Sequence, residues 1–390
     1  MNISERLQRI KPSATLAVNA KAQELRAQGR KIVSLAVGEP DFDTPAHIVE
    51  AAKKALDAGK TRYTAVPGIP ELRTAVAGYY NKFYGTSATA EQTIVSNGGK
   101  QVLYNLFMSL LNPGDEVLIP APYWVSYPAM VQLADGVSVF LPTSPENDFL
   151  VSVEQLDAAL TERTRMLILN TPSNPTGCHY SQTQLDAIAD WAIANNVFIV
   201  SDEVYDRLVY DPATPSTLAP TFQKHPECVA VVGALSKSFC MTGWRLGYAM
   251  AHPDLVKAMS KIQGQSTSSI NAATQWAAVA ALEGPWDIVE KMAVAFKRRR
   301  DLAYDIICSW PGAVCPKPAG AFYIFPAVDA FFRADMPDSA AVCTKVLEEA
   351  GVALVPGSAF GDDRCVRISY AVADEVLAAS LEKVGKVLMG

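Results

Sequence analysis

The chain has 390 residues, of which 49% are hydrophobic and 19% charged, so it is long enough for about two or three ordinary domains. This composition excludes a disordered or a fibrous protein. The 34 basic and 40 acidic side chains give a formal net charge of -6, and with no basic run longer than 297–300 we expect no nucleic-acid partner.

The sequence predicts neither a membrane span nor an export signal. The longest strongly apolar stretch, 102–111, contains Asn105 and Ser109 and is far shorter than the roughly 20 residues that cross a bilayer. Residues 1–10 alternate charged and isolated apolar side chains, unlike a secretory signal. The seven cysteines are scattered without a Cys-x-x-Cys pair, which argues against a disulfide framework or a zinc cluster. We therefore expect a soluble, cytoplasmic protein with reduced cysteines.

Five short apolar runs along the chain lead directly into polar or aromatic residues. Continuous apolar runs separated by amphipathic helices, such as one predicted over 182–195, are typical of a mainly parallel sheet covered on both faces. Ligands of such α/β sheets bind beyond the carboxyl ends of the strands, so we expect the residues after these runs to meet in one crevice. Any single run could end in an ordinary loop, and the prediction depends on all five. The runs are 93–95, 116–119, 166–169, 197–200 and 229–233.

The pattern changes in the last quarter of the chain. A long charged helix through 297–305 is followed by the apolar segment 320–325 and by a helix near 339–350. A strand is predicted at 366–370. This order of elements indicates a smaller α+β unit.

The beginning of the chain can pack with that unit. It contains a predicted helix over 15–28 and an extended stretch at 38–40. We find no internal repeat and no low-complexity linker that would separate further domains. We predict a large domain of residues 46–290 and a small domain built from residues 1–45 and 291–390.

The segment 236–247, Ser-Lys-Ser-Phe-Cys-Met-Thr-Gly-Trp-Arg-Leu-Gly, places a lysine shortly after an apolar run. Burying an ammonium group is costly, so Lys237 either reaches solvent or has a lowered pKa that suits covalent chemistry. Taken alone, the position favours the first alternative. The second is how proteins hold pyridoxal phosphate, which also needs an acidic partner for its ring nitrogen and an anion site for its phosphate.

The chain contains a candidate for each of these partners. Asp202 ends an apolar run, where an unpaired carboxylate is unfavourable, and it suits a protonated ring nitrogen. Residues 98–100 follow another run and open a predicted helix, whose amides and dipole can hold a phosphate. Arg245 can add a charge-assisted contact to the same phosphate. A Gly-Gly turn alone is more often a tight connection, so the indication comes from the whole set.

Four further motifs accompany the lysine segment and follow one another along nearly the whole chain. Together with it they resemble the motifs of class I aminotransferases of the type I pyridoxal-phosphate fold. The chain is most similar to the bacterial branch of aspartate aminotransferases whose motif reads Gly-Glu-Pro-Asp-Phe. The resemblance implies a mainly parallel α/β sheet between helices, with a smaller α+β domain. The four motifs are 37–42 (Val-Gly-Glu-Pro-Asp-Phe), 63–68 (Tyr-Thr-Ala-Val-Pro-Gly), 174–177 (Asn-Pro-Thr-Gly) and 201–205 (Ser-Asp-Glu-Val-Tyr).

The resemblance assigns roles around the ring of pyridoxal phosphate. Lys237 would bind the cofactor as a Schiff base and move the proton between the substrate α-carbon and the cofactor. Asp202 would pair with the ring nitrogen, while Asn174 and Tyr205 would hydrogen-bond the phenolate oxygen. Trp124 would stack on the ring and help to bind substrate.

The resemblance also implies a phosphate site that two subunits share. Gly99 and Lys100, through their backbone amides, and Arg245 would bind the phosphate. Tyr63 would reach the phosphate of the neighbouring subunit. A homodimer with shared active sites is therefore the expected assembly.

Substrate binding follows from the same resemblance. Arg367, in a predicted strand, would fork the α-carboxylate, with Gly38 and Asn174 assisting. Taken without the resemblance, Arg367 is more simply interpreted as a solvated arginine at a strand edge. Bidentate geometry makes lysine a poor substitute at such a site.

Two departures from the family concern the phosphate site and the substrate specificity. Ala234 stands where many relatives carry a phosphate-binding serine. The segment 263–269 has no arginine, whereas aspartate-specific relatives of another branch use a partner-subunit arginine near there. The sequence thus leaves open how a side-chain carboxylate is recognised.

We predict an aminotransferase that moves an amino group from L-aspartate to 2-oxoglutarate in a ping-pong cycle. An aminotransferase for aromatic or prephenate-like substrates, or one of broad range, is the alternative within the family. A β-lyase or decarboxylase on the same cofactor is an alternative enzyme class. A ligand-sensing regulator would need an added DNA-binding domain, for which the sequence before the first motif leaves no room. No metal is predicted, because the four histidines (His47, His179, His225 and His252) lack ligand spacing.

Overall fold

The computed structural model of the chain describes residues 3–10, 14–210 and 215–390. Among these residues, no helix combines the length and the apolar character that crossing a membrane requires. The helices are α1 (Glu5–Gln8), α2 (Ala14–Ala27), α3 (Ala46–Asp57), α4 (Pro70–Tyr84), α5 (Gly99–Leu110), α6 (Tyr127–Leu133), α7 (Val153–Ala159), α8 (Gln182–Ala194), α9 (Ala219–Lys224), α10 (Leu235–Ser238), α11 (Pro253–Ser266), α12 (Ala272–Glu283), α13 (Asp287–Cys308), α14 (Ser339–Ala350) and α15 (Asp374–Met389). The strands are β1 (Val33–Ser34), β2 (Thr93–Ser96), β3 (Glu116–Ala121), β4 (Val137–Pro142), β5 (Thr164–Asn170), β6 (Phe198–Asp202), β7 (Val229–Ala234), β8 (Gly247–Met250), β9 (Tyr323–Ile324), β10 (Val352–Ala353), β11 (Val355–Pro356) and β12 (Val366–Ser369).

Seven strands form the main sheet, in the order β2-β8-β7-β6-β5-β3-β4. β8 is antiparallel to both of its neighbours, and the other neighbouring strands are parallel. The five predicted apolar runs are β2, β3, β5, β6 and β7, and all five point the same way. The prediction of a mainly parallel sheet is therefore confirmed.

Two strands of this sheet were not predicted. β4 is an edge strand whose side chains are mostly exposed or half-buried, so it lacks a continuous apolar run. β8 is fully buried, but its sequence, Gly-Tyr-Ala-Met, has no β-branched residue and begins at the last residue of the segment 236–247. Neither strand carries the pattern that identifies a central strand.

Both faces of the main sheet are covered by packed side chains. Along β6, Ile199 belongs to one buried cluster and Val200 to the cluster on the other face. Along β7, Val231 and Val232 divide in the same way. Successive strand residues point to opposite faces, so apolar residues at every position mean that helices cover both sides.

The last part of the chain forms a second body of structure with the chain's beginning. β9, β11 and β12 make a three-stranded antiparallel sheet. β1, near the N-terminus, pairs with β10 in parallel, so that Val33 lies opposite Val352. Leu35 packs in the same buried cluster as Val352 and Val384. The division into residues 46–290 and residues 1–45 with 291–390 stays a prediction that these contacts support.

Arg299 on α13 links three distant parts of the chain. Its guanidinium donates to Asp41 Oδ1 at 2.7 Å and to Asp374 Oδ1 at 3.1 Å. It also lies over the rings of Phe42 and Phe296, at 5.5 and 5.7 Å from their centres. The segment after β1, helix α13 and the start of α15 are therefore joined through one buried cation.

His179 links Thr171, directly after β5, to Ser216, in the segment between β6 and α9. Its Nδ1 lies 2.6 Å from Thr171 Oγ1, and its Nε2 accepts a hydrogen bond from Ser216 N at 3.1 Å. An accepting Nε2 requires the neutral ring. Burial lowers the pKa of His179 to about 4, which agrees with that hydrogen-bond pattern.

The Arg299 contacts predict a loss of stability on substitution. We expect Arg299→Met to lower the free energy of unfolding of the cofactor-free protein by about 2–4 kcal/mol, because two half-buried carboxylates lose their shared cation. The matched control is Arg298→Met, since Arg298 also bonds Asp374 but has a side chain that is 63% exposed. For it we expect a loss below about 1 kcal/mol. Equal losses in urea denaturation would contradict the role given to Arg299.

His179 predicts a dependence of stability on pH. The unfolded chain takes up the imidazole proton below about pH 6.5 while the folded chain resists until about pH 4, so stability falls as the pH decreases through that window. The expected contribution between pH 7.5 and pH 5 is about 2 kcal/mol. We expect His179→Asn to remove this part of the pH dependence of unfolding, and His225→Asn, at a more exposed position, to retain it. Identical pH profiles for the two variants would rule out the assignment.

Candidate active site

A cavity of about 380 Å³ lies beyond the carboxyl ends of the parallel strands. Its size is typical of a small-molecule site. One predicted site residue, Tyr63, does not line the cavity and is 92% exposed. The other ten predicted residues do line it: Gly38, Gly99, Lys100, Trp124, Asn174, Asp202, Tyr205, Lys237, Arg245 and Arg367.

Asp202 is a buried carboxylate at the end of β6. Its Oδ2 accepts a hydrogen bond from Tyr127 OH at 2.6 Å. Its Oδ1 is buried and has no hydrogen-bond partner within the described part of the chain. Burial raises the pKa of Asp202 to about 6, while the Tyr127 hydrogen bond acts to lower it. Such an oxygen suits a cationic N–H donor supplied by a ligand.

Lys237 lies on α10, the short helix that follows β7. Its Nζ donates a hydrogen bond to Gly38 O at 2.6 Å. Burial lowers the pKa of Lys237 to about 8, against the nearby negative charge of Glu39, which raises it. About a tenth of an amine with this pKa is uncharged at pH 7, far more than for an ordinary lysine, so it can act as a nucleophile or a base.

The start of α5 forms an anion cradle with Arg245. Gly98 has a φ of 83°, and a β-carbon built on it would come within 2.5 Å of the Arg245 guanidinium. α5 begins at Gly99, and the first-turn amides of a helix have no partner inside the helix. Arg245 donates to Thr242 O at 2.9 Å, which fixes its guanidinium beside these amides. The arrangement combines a helix N-terminus with a cation and suits a phosphate group.

Arg367 on β12 is 3% exposed and is held on several sides. Its NH1 donates to Asn174 Oδ1 at 3.0 Å, and its NH2 donates to Ala36 O at 2.7 Å. The guanidinium lies 4.6 Å from the ring centre of Tyr323 and 5.0 Å from that of Phe360. Its Nε is buried without a partner among the described residues. A cation with a remaining donor in a cavity suits a carboxylate.

Lys100 reaches the cavity with its side chain as well as its backbone. Its Nζ lies 5.0 Å from the centre of the Trp124 ring. Burial lowers the pKa of Lys100, and the charge of Arg245 lowers it further. The sequence pointed only to the backbone amide, because a lysine at the start of a helix normally reaches solvent.

Sequence reasoning missed several polar residues that shape this site. Asn170 donates from Nδ2 to Asp202 O at 2.9 Å and accepts from Asn174 N at 2.7 Å. Its position at the end of a buried strand could have identified it as a site residue from the sequence. Tyr127 and Tyr323 carried no such signal, because their roles depend on which side chains the fold brings beside them.

The cavity is positively charged overall, although the chain is acidic. Four of its lining residues are cationic (Lys100, Lys237, Arg245 and Arg367) and two are carboxylates (Glu39 and Asp202). Within the described residues, no group of three or more His, Cys, Asp or Glu side chains could hold a metal ion. The arrangement can therefore bind an anionic ligand next to a reactive amine.

Comparison with known proteins identifies the family. A family profile described as aminotransferase class I and II matches residues 30–384. The chain is 46% identical to an aspartate/prephenate aminotransferase of Cereibacter sphaeroides, over 98% of this chain and 97% of the relative. It is 44% identical to an asparagine–oxo-acid transaminase of Streptococcus mutans, over 98% of both chains.

Solved structures agree with these relatives. The aspartate aminotransferase of Thermus thermophilus with maleate superposes with a TM-score of 0.94 at 44% identity, and the alignment covers 99% of this chain and 100% of that one. The resemblance and the fold class predicted from the motifs are thus confirmed. The chain belongs to the aminotransferase class I and II family of pyridoxal-phosphate-dependent transferases and has their type I α/β fold.

Proposed function

We propose that this aminotransferase moves an amino group from L-aspartate to 2-oxoglutarate in a ping-pong cycle that yields oxaloacetate and L-glutamate. The observation that carries the proposal is that Arg367 and Lys100 line one cavity, besides the lysine and arginine that the cofactor would use. All four substrates and products carry two carboxylates, which two separate cations can bind. The aspartate/prephenate relative and the maleate in the Thermus structure support a dicarboxylate substrate.

Pyridoxal phosphate fits the residues of this cavity. The unpartnered Asp202 Oδ1 matches a protonated ring nitrogen, and a buried carboxylate without such a donor would be unfavourable. The cradle at the start of α5 matches the phosphate. We propose that Lys237 holds the cofactor covalently, that Trp124 stacks on its ring, that Asn174 and Tyr205 bind its phenolate oxygen, and that Gly99, Lys100 (through their amides) and Arg245 bind its phosphate.

When bound, the cofactor supplies an electron sink for the negative charge that develops at the substrate α-carbon. We propose that the Lys237 amine takes the proton from that carbon and passes it to the cofactor. In the second half of the cycle it would move a proton in the opposite direction, from the cofactor to the α-carbon of the new amino acid. The lowered pKa of Lys237 supports this role, because a general base works best with a pKa near the operating pH. Gly38 O, 2.6 Å from Nζ, keeps the amine directed into the cavity.

The substrate carboxylates would be bound at two positions. We propose that Arg367 binds the α-carboxylate, with Gly38 and Asn174 assisting. The contacts of Arg367 with Asn174 and Ala36 orient its guanidinium before substrate arrives, which lowers the entropy cost of binding. Lys100 would bind the side-chain carboxylate, and so could replace the arginine that the segment 263–269 lacks.

A homodimer with shared active sites is part of the proposal. Tyr63 is 92% exposed, yet its loop is firmly held, since Gln275 donates to Thr64 Oγ1 at 2.8 Å and Thr64 N bonds Ser269 Oγ at 3.3 Å. An ordered loop that presents an aromatic hydroxyl to solvent suits a contact with a second copy. Tyr63 would reach the phosphate in the partner's cavity.

The seven unpaired cysteines support a cytoplasmic location.

A second candidate is an aminotransferase that also accepts prephenate or aromatic amino acids, or one of broad range. The observation that favours it is the naming of the Cereibacter relative for both aspartate and prephenate. Prephenate is also a dicarboxylate, so the same two cations could serve it. A β-lyase on the same cofactor would release pyruvate without an acceptor keto acid.

Lys237→Ala tests the covalent anchor and the base together. We expect transamination to fall by at least about a thousandfold, and the visible absorbance of covalently held cofactor to disappear. The control is Lys257→Ala on α11, where the lysine bonds Asp254 at the surface and activity should be unchanged. A Lys237→Ala protein with the visible band and full activity would overturn the proposed function.

Lys100→Met tests the recognition of the side-chain carboxylate. Removing one charge-assisted contact should lower kcat/KM for aspartate and 2-oxoglutarate by about 10- to 100-fold, while rates with alanine and phenylalanine change by less than about threefold. The measurement is a panel of single-turnover rates followed by absorbance. Lys60→Met is the matched control, because Lys60 also lies over a tryptophan, Trp276, but outside the cavity. An equal loss with all four substrates would refute the role of Lys100.

A further inference from the structure

Tyr323 contacts three of the proposed site residues and has no role in the proposal above. It is fully buried on β9, and its hydroxyl lies 3.1 Å from the hydroxyl of Tyr205. Its ring lies under the guanidinium of Arg367, at 4.6 Å. Its hydroxyl also occupies the space beside Gly38, where a built β-carbon would lie 2.9 Å away. One side chain therefore touches the groups proposed for the cofactor oxygen and for the substrate carboxylate.

The hydrogen bond between the two tyrosines has a defined direction once Tyr205 is in use. Each hydroxyl carries one proton. If Tyr205 donates its proton to the phenolate oxygen of the cofactor, its own oxygen can only accept from Tyr323. Tyr323 must then be the donor, and its hydrogen bond makes the Tyr205 proton a stronger donor in turn.

Both hydroxyls keep their protons at neutral pH, as this chain of hydrogen bonds requires. Burial raises the pKa of Tyr205 well above its usual value. Burial also raises the pKa of Tyr323, although the positive charge of Arg367 acts against this change. Tyr323 is therefore available as a donor throughout the pH range in which such an enzyme works.

We propose that Tyr323 is a positioning residue with two separable functions: its hydroxyl strengthens the hydrogen bond from Tyr205 to the cofactor, and its ring holds the Arg367 guanidinium in place for the substrate carboxylate. The inference rests on the proposed function, since it needs pyridoxal phosphate in the cavity. It adds to that function a residue that couples the cofactor side of the site to the substrate side.

The same geometry gives a physical reason for glycine at position 38. The closest heavy atom to a β-carbon at Gly38 is the Tyr323 hydroxyl oxygen, and the next is the ring carbon that carries it, at 4.0 Å. A side chain at position 38 would thus displace the Tyr323 hydroxyl from the position in which it bonds Tyr205. Without that hydroxyl, an alanine at position 38 would make only an ordinary van der Waals contact.

The test uses the holoenzyme without substrate and reads the visible absorbance of the bound cofactor against pH. A weaker donor at Tyr205 stabilises the phenolate oxygen of the cofactor less. The nitrogen that joins Lys237 to the cofactor then keeps its proton, and with it the visible absorbance, to higher pH. We expect Tyr323→Phe to raise the pKa of this transition by about 0.2–0.6 unit. In a Tyr205→Phe background the same substitution should cause no shift, because the intermediate tyrosine is gone.

Maleate binding tests the function proposed for the Tyr323 ring. This dicarboxylate has no amino group, so its affinity can be titrated by absorbance without turnover. Tyr323→Phe keeps the ring, and the dissociation constant should change by less than about twofold. Tyr323→Leu removes it and should weaken binding by about 3- to 30-fold. If the leucine variant does not fold, the absorbance titration of Tyr323→Phe still tests the function proposed for the hydroxyl.

Tyr370→Phe is the matched control. Tyr370 is also fully buried and also pairs with a tyrosine hydroxyl, that of Tyr210 at 3.4 Å, but it does not line the cavity. We expect it to leave the absorbance pKa and the maleate affinity unchanged. A shift of the same size in Tyr370→Phe would show that Tyr323 acts only through stability, and would overturn the inference.

A stability cycle with Gly38 checks the contact itself. Gly38→Ala should destabilise the cofactor-free protein, and much of that loss should vanish in the double variant with Tyr323→Phe. Equal losses in both backgrounds would contradict the contact. An unshifted absorbance pKa in Tyr323→Phe overturns the inference alone, whereas a wild-type protein that shows no visible band with pyridoxal phosphate overturns the proposed function.

Discussion

The candidate active site depends above all on the parallel pairing of β5, β6 and β7. Asn170 and Asp202 lie opposite each other in register at the ends of β5 and β6. β7 runs alongside β6 and ends three residues before Lys237. Parallel strands end at one edge of a sheet, so a carboxylate and an amine from distant parts of the sequence meet without a long loop to carry either one. A register shift of one residue would turn Asp202 to the opposite face.

The site is completed only by the two ends of the chain. Lys237 Nζ bonds Gly38 O, and Arg367 NH2 bonds Ala36 O, so the segment after β1 covers the cavity from the other side. Arg299 fixes the same segment through Asp41. Contacts between residues about 200 to 330 positions apart thus set the spacing between the proposed cofactor site and the proposed carboxylate site.

Much of the fold and part of the site could be predicted, because strong local patterns carried them. Five of the seven strands of the main sheet were predicted from apolar runs, and the helices α8 and α14 from local sequence patterns, since a buried strand and an amphipathic helix each show in a short stretch. The edge strand β4 was missed because solvent exposure removes the pattern. Tyr127 and Tyr323 were missed for a different reason: each acts on a partner far away in sequence, Asp202 and Tyr205 respectively.

The sequence by itself determined the fold class, the family and the set of chemical groups, because apolar periodicity and the ordered motifs are local properties of the chain. The tertiary structure decided how those groups are used. It left one oxygen of Asp202 without a partner and the other bonded to Tyr127. It also brought the Lys100 side chain into the cavity and set Tyr323 between Tyr205 and Arg367. Burial, hydrogen-bond partners and local charge arise only when distant segments pack together, and they are what give an ordinary lysine or tyrosine a specific role.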